Sequence, residues 1–294
     1  MKAIEINSLT KEYGSKRGVN NISFEVLEGD IVGFIGPNGA GKSTTIKALL
    51  NFIFPTSGEC EIFSLDCVKD SKKIKEFTGY VPSEVRFYDD MKVKDIIKYG
   101  ESFYENVDKD RISNLCQKLD IEENKKMGEL SLGNKKKVAI VQALINSPKL
   151  IILDEPTNGL DPLIQKKLFE ILLEENKKGT TIFLSSHNLT EVQNYCHKAV
   201  IIKEGEIVDI QDINSLKEKK KKRIVIKGEN IKKQDIENIN GEILSEENGK
   251  FTFSYKGNIN KLITNLSKFE IEDIEISEED LMDTFLNYYK EGEK

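Results

Sequence analysis

The feature that most constrains this chain is the turn Gly36-Pro37-Asn38-Gly39-Ala40-Gly41-Lys42-Ser43-Thr44, which contains the spacing G-x-x-x-x-G-K-[ST]. It follows the apolar run Ile31-Val32-Gly33-Phe34-Ile35 and precedes Ile46, Leu49, Leu50 and Ile53 at helical spacing. A strand, a glycine-rich curl and a helix in that order leave few folds open. The glycines let backbone N–H groups point inward, and the helix adds its positive end, so the turn suits a polyphosphate. Lys42 would reach the terminal phosphates and the Ser43 hydroxyl would ligate magnesium.

A metal-bound triphosphate needs an acidic anchor at the end of a neighbouring buried strand. Asp154 directly follows Leu150-Ile151-Ile152-Leu153, and Glu155 comes next. Glu155 would face the terminal phosphate and polarise an attacking water. An Asp-Glu pair after a strand also suits a helix cap, and the presence of the phosphate turn favours the catalytic reading. Thr181-Ile182-Phe183-Leu184 is a further buried-strand candidate, and the strand, loop, helix rhythm of the first 210 residues reads as α/β. Between Pro82 and Pro148 the strand signal gives way to helix-compatible sequence, which predicts a helical insertion at about 83–148. Ala199 to Ile202, then Lys203-Glu204-Gly205-Glu206, then Ile207-Val208 predicts a hairpin.

The leucine-to-proline segment Leu150-Ile-Ile-Leu-Asp-Glu-Pro-Thr-Asn-Gly-Leu-Asp-Pro162, taken with the phosphate turn, closely resembles the ATP-binding cassette (ABC) family of ATPases. The resemblance implies a P-loop ABC-type nucleotide-binding domain over roughly Lys2 to Ile210, with ATP and Mg2+ as its ligands. Ser43 and Asp154 would hold the metal and Glu155 would be the catalytic base. Tyr13, in Lys11-Glu-Tyr-Gly14, is similar to the aromatic that stacks on adenine. Leu130-Ser-Leu-Gly-Asn-Lys135 looks like the family signature, so Ser131 and Gly133 would meet the γ-phosphate of a partner subunit. Asp161, in Gly159-Leu160-Asp161, matches the dimer-contacting loop, and His187, in Ser185-Ser-His-Asn188, matches the switch histidine. His197 has no motif around it and is expected at the surface.

Three positions depart from the family pattern. Leu132 and Asn134 replace a glycine and the glutamine of the common LSGGQ signature. Ser83, in Gly79-Tyr-Val-Pro-Ser-Glu84, stands where a glutamine normally joins the metal site to the transport partner. A bridging water or Glu84 would have to make that link.

The signature lies far along the chain from the phosphate turn, and the resemblance implies that it completes the opposite site in a homodimer or heterodimer of nucleotide-binding subunits. No stretch approaches the roughly 18 apolar residues of a spanning helix. The expected partner is therefore a separately encoded multi-span membrane permease, and the expected location is peripheral, on the cytoplasmic face of the cell membrane. The net charge of −6 carries no basic excess, so no nucleic acid partner is expected. A soluble cassette ATPase acting on ribosomes or DNA, or an ATP-dependent regulator, is the alternative. Cys60, Cys67, Cys116 and Cys196 lack CxxC spacing and read as reduced packing residues.

Sixteen acidic and nine basic residues lie between Ile224 and Lys294, so the negative charge belongs to the C-terminal part. The run Lys217-Glu-Lys-Lys-Lys-Lys-Arg223 stands where that balance changes and reads as a solvated linker. The expected organisation is a cassette over 1–214, a charged linker over 215–223 and a small α+β domain over 224–294. In the last, Arg223 to Lys227 and Phe251 to Tyr255 alternate like half-buried strands. Ser277-Glu-Glu-Asp280 would cap a terminal helix with the stripe Leu281, Phe285 and Tyr289. The ending Ile276 to Phe285 looks like the C-terminal extension of cassette ATPases serving ABC-2-type exporters, which implies drug, antibiotic, lipid or peptide efflux.

Overall fold

The structure, a computed structural model, describes residues 1–14, 16–213, 222–229, 231–247 and 249–278. The chain divides into two compact units, Met1–Ile210 and Gln211–Lys294. The first opens with β1 (Lys2–Tyr13), β2 (Lys16–Leu27) and β3 (Ile31–Ile35), followed by α1 (Lys42–Leu49). Then come β4 (Ser57–Ile62), β5 (Leu65–Asp66), α2 (Ser71–Glu76) and β6 (Thr78–Val81). A helical stretch holds α3 (Val93–Glu101), α4 (Lys109–Lys118) and α5 (Leu132–Leu144). The unit continues through β7 (Leu150–Asp154), α6 (Pro162–Lys177), β8 (Thr181–Ser186), α7 (Leu189–Tyr195), β9 (Lys198–Lys203) and β10 (Glu206–Asp212).

Two sheets carry this unit. One is antiparallel, in the order β2-β1-β4-β5; the other has six strands in the order β10-β9-β3-β8-β7-β6, with β9, β3, β8, β7 and β6 parallel. β3, β7 and β8 are buried along their whole length, as strands covered on both faces must be, whereas Ile22, Phe24 and Val26 alternate with exposed Ser23 and Glu25. Phe24, Phe34 and Phe183 meet between the sheets with centroids 5.4 to 5.8 Å apart. β9 and β10 form the expected hairpin; Glu204 and Gly205 take φ of 51° and 83°, the left-handed pair of a tight two-residue turn.

Three local features were not expected from the sequence. α1 stops at Leu49, short of Ile53, because Asn51 takes the left-handed conformation (φ 53°) that ends helices. Thr78 to Val81, immediately before the Pro82-Ser83-Glu84 segment, forms β6 in register with Leu150 to Leu153. His197 is half-buried, and its Nδ1 accepts the Ile31 N–H at 3.1 Å. All four cysteines are buried and free, and burial raises the Cys60 thiol to about 12.

The second unit contains β11 (Lys222–Glu229), α8 (Lys233–Asn238), β12 (Gly241–Glu247), β13 (Lys250–Tyr255), α9 (Ile259–Leu266) and β14 (Glu270–Glu278). The sheet order β12-β13-β11-β14, antiparallel throughout, is a ferredoxin-like βαββαβ arrangement. Ile224, Ile226, Phe251, Phe253, Leu262 and Leu266 form its core. Lys222 and Arg223, expected in the linker, are the first residues of β11. β13 is buried from Phe251 through Tyr255 instead of alternating, as befits a central strand. The terminal helix expected around Leu281, Phe285 and Tyr289 falls outside the described residues.

Candidate active site

The parallel strands all end at one edge of their sheet, and the chemistry-bearing residues gather there. β3 runs into the phosphate turn, β7 ends at Asp154, β8 leads to His187, and β6 leads to Ser83 and Glu84. The turn is shaped by glycines that nothing larger can replace. A Cβ on Gly36 would lie 2.3 Å from the Ile202 carbonyl oxygen, and Gly41 takes φ 109° with the Gly18 carbonyl 2.6 Å from where its Cβ would be. Gly41 also caps α1, so the first N–H groups of that helix face the curl.

Lys42 is buried, and its Nζ donates to the carbonyls of Gly36 at 2.6 Å and Pro37 at 3.1 Å. The same ammonium sits 3.0 Å from Glu155 Oε1, an ion pair without hydrogen-bond alignment. Glu155 Oε2 lies 2.6 Å from His187 Nδ1, with the imidazole half-exposed at the mouth of the site. Lys42, Glu155 and His187, 145 residues apart along the chain at the extremes, thus form one continuous chain of contacts.

Asp154 is fully buried. Its Oδ1 accepts from Ser185 Oγ at 2.7 Å, and its Oδ2 is buried with no hydrogen-bond partner. That orphaned oxygen and the Ser43 hydroxyl are hard oxygen donors of the kind a magnesium ion takes from protein, the remainder coming from phosphates and water. No group of three His, Cys, Asp or Glu side chains suited to a metal exists among the described residues. Pro37 to Gly39, Gly41 to Thr44, Tyr13 and Glu155 line a cavity of about 680 Å3 together with Ser83 and Glu84. Tyr13 is half-exposed and lines this cavity.

Three predicted residues stand elsewhere. Ser131 caps α5, its Oγ accepting the Asn134 N–H at 3.3 Å, and Gly133 packs so closely on the next loop that a Cβ would meet the Gly159 carbonyl at 2.5 Å. Asp161 caps α6 through the N–H groups of Leu163 and Ile164, both at 3.1 Å. None of the three lines the phosphate cavity of its own chain.

Several residues around the site were not read from the sequence. Ser185 joins Asp154 to the Glu155 N–H, which it accepts at 3.0 Å. Glu155 itself holds φ 50°, a left-handed conformation that costs a non-glycine residue on the order of 1 kcal/mol or more. Lys136, buried on α5, donates to the carbonyls of Glu155 at 2.7 Å and Asn158 at 3.3 Å. Burial lowers the Lys136 ammonium, against the opposing pull of Asp154 and Glu155. Glu191 is raised by burial, and its carboxylate accepts from Thr157 Oγ1, Ser186 Oγ and Asn188 Nδ2.

A curled phosphate turn, an anchoring aspartate and a glutamate reaching the turn's lysine define a P-loop nucleotide triphosphatase. Residues 19–158 match the family model described as ABC transporter. The chain is 37% identical over 222 residues to the bacitracin transport ATP-binding protein BcrA of Bacillus licheniformis, covering 74% of this chain and 72% of that one. It is 29% identical to the probable multidrug ABC transporter ATP-binding protein YbhF of Escherichia coli, over 70% of this chain and 36% of that one. Among solved structures, the ATP-binding subunit of an ABC transporter aligns with TM-score 0.67 at 28% identity, covering 74% of this chain and 92% of that one. The cassette MJ0796, whose dimeric post-hydrolysis state was solved with ADP and Pi, shares the fold at TM-score 0.66 and 24% identity, over 71% and 98%. The chain belongs to the ABC transporter family, as one of its ATP-hydrolysing, energy-coupling subunits.

Proposed function

We propose that this chain powers an ABC-2-type exporter for an antibiotic, drug, lipid or peptide, as the peripheral ATPase of a separately encoded multi-span permease. The carrying observation is the Lys42–Glu155–His187 chain at the mouth of the phosphate turn. BcrA is named for bacitracin transport and YbhF for multidrug transport, which supports the export reading. No helix among the described residues is long and apolar enough to cross a membrane, so the path for cargo belongs to the partner.

Lys42 would leave Gly36, Pro37 and Glu155 for the β- and γ-phosphates as ATP enters, while the inward N–H groups of the turn take the phosphate oxygens. Ser43 and Asp154 would hold magnesium, which when bound would supply positive charge against the phosphates. Glu155, released from Lys42, would orient the attacking water and take its proton; His187 would bridge Glu155 and the γ-phosphate. Ser131, Gly133 and Asp161, turned away from their own cavity, would complete the site of the opposing subunit, so that two ATP molecules hold a dimer closed. A second cavity of about 330 Å3, bounded by Pro82, Val85, Arg86, Tyr99 and Phe103 beside the Ser83 loop, is where a permease element would dock.

Two experiments test this. Purified native protein should bind MgATP by calorimetry, and Glu155→Gln should bind ATP, dimerise on it and turn over far more slowly. Unchanged hydrolysis in Glu155→Gln would remove Glu155 from the role of base. Copurification with a multi-span membrane protein encoded beside it tests the exporter assignment; a stable, ribosome-bound or DNA-bound form lacking any such partner would favour the alternative.

A further inference from the structure

We propose that Lys136 is a positioning residue for hydrolysis: its buried ammonium holds the peptide after Glu155 in the orientation that aims the Glu155 carboxylate into the site. The inference rests on Glu155 being the general base and adds a residue that sits outside the phosphate cavity.

Glu155 holds a backbone conformation that a glutamate does not choose alone, with φ 50°. Something must hold it on both sides. On the N–H side Ser185 Oγ accepts at 3.0 Å, and the same hydroxyl donates to Asp154. On the carbonyl side Lys136 Nζ, from a buried side chain, donates at 2.7 Å, a charge-assisted bond. The ammonium also reaches the Asn158 carbonyl at 3.3 Å, so it closes the turn from 155 to 158 from beneath. The direction of the Glu155 Cα–Cβ bond follows from that turn, and with it the 3.0 Å contact to Lys42 and the 2.6 Å contact to His187.

Lys136 reaches this place because α5 lies against the turn. Gly133, one helical turn earlier on the same face of α5, already touches the Gly159 carbonyl closely enough to exclude a Cβ. Of three consecutive lysines, 135 to 137, position 135 pairs with Asp89 nearer the surface, while 136 spends its charge on main-chain carbonyls. A buried cation committed to carbonyls rather than to a carboxylate is costly, and its removal would not merely loosen the surface. Without it the turn relaxes toward ordinary φ values and the carboxylate swings off line, which slows the chemical step and leaves nucleotide affinity to the phosphate turn.

The test uses the full-length chain. Lys136→Met should lower kcat by about 10- to 100-fold while the KM for ATP stays within about twofold, because a small misplacement of a reacting group slows chemistry that strongly. Lys136→Arg, which keeps a cationic donor, should recover a substantial part of the loss. In a double-mutant cycle, Lys136→Met should add no further loss to the residual turnover of Glu155→Gln, since both act through one group. If the methionine variant does not fold, Lys136→Gln carries the same readout. A folded variant with kcat within about twofold of the parent, kcat and KM worsening together, or independent losses in the cycle overturns the proposal. Glu155→Gln measured alone decides the base assignment separately: full activity there sinks that reading whatever the Lys136 variants do.

Discussion

The parallel sheet of the first unit and the antiparallel sheet of the second are built from the same material and serve different ends. Both bury aromatic and β-branched side chains, Phe34 and Phe183 in one, Phe251 and Phe253 in the other. In the first, β3, β8, β7 and β6 all run the same way, so the residues at or just past their ends, Gly36, His187, Asp154 and Ser83, arrive at one edge. In the second, neighbouring strands alternate in direction and their ends are split between two edges. Burial makes both units stable; strand direction alone makes one of them a platform for chemistry. Damage at the platform's edge should therefore stop turnover without unfolding, and damage to the second core should do the reverse.

The strongest way to break that contrast is Asp154→Asn. Asparagine still accepts from Ser185 through Oδ1, so the fold should persist with a melting temperature near that of the parent. The charge that would face the metal is lost, and kcat should fall on the order of 10^2- to 10^3-fold. Chelation of magnesium should give a loss of similar size in the parent and little further loss in the variant. A cooperative unfolding shift of several degrees in place of lost turnover would mean that Asp154 is a packing residue.

In the second unit Phe253→Ala is the matching test. Phe253 is fully buried in the core with Ile224 and Leu262, and truncation should cost about 3–5 kcal/mol of that unit's stability. The ATPase rate of the isolated protein should stay within about twofold. Separate thermal transitions would sharpen the contrast, and loss of hydrolysis alongside the melt would break it.

A smaller effect is expected where the platform itself is tightest. A Cβ on Gly79 in β6 would lie 2.0 Å from the Ala143 carbonyl, which is backbone and cannot swing away. Gly79→Ala should destabilise the first unit by about 1–3 kcal/mol, read by urea denaturation, with KM for ATP unchanged.

How much of this was legible beforehand follows from range. The phosphate turn, Asp154 and Glu155 were legible because each is announced by its own neighbours, an apolar strand on one side and a turn on the other. Tyr13, Ser131, Asp161 and His187 came only with the family pattern, and the structure places Tyr13 and His187 near the cavity but turns the other two away. Lys136 was invisible, since three lysines in a row read as a solvated run until packing shows that Lys136 reaches the turn after Glu155. Glu191 was missed for the same reason, lying in a polar helix whose buried face is set by the strand beneath it. The ferredoxin-like order of the second unit could not be read either: alternation suggests strands, but not that β11 pairs with β13 and β14. Those pairings join residues such as Ile224 and Ile276 that nothing local connects.

The mildest prediction concerns Glu191, which ties the His187 loop to the turn after Glu155 through Ser186, Asn188 and Thr157. Burial raises its carboxyl above the ordinary range, and the hydrogen bonds from those three groups only partly offset this. A carboxyl raised in the native state is harder to ionise there than in the unfolded chain. Its contribution therefore favours the fold below the unfolded value of about 4.3 and is lost as pH rises through the higher native value. Glu191→Gln cannot ionise and keeps a carbonyl acceptor for Ser186 or Thr157. Near pH 4.5 the two proteins should differ in stability by about 1 kcal/mol or less, and between there and pH 7.5 the glutamine variant should gain on the parent. Parallel denaturation curves at the two pH values read the sign directly. A parent that gains on the variant as pH rises would mean that the ionised carboxylate is favoured in place, making Glu191 an electrostatic partner of His187 and the link between loop and turn stronger than its burial implies.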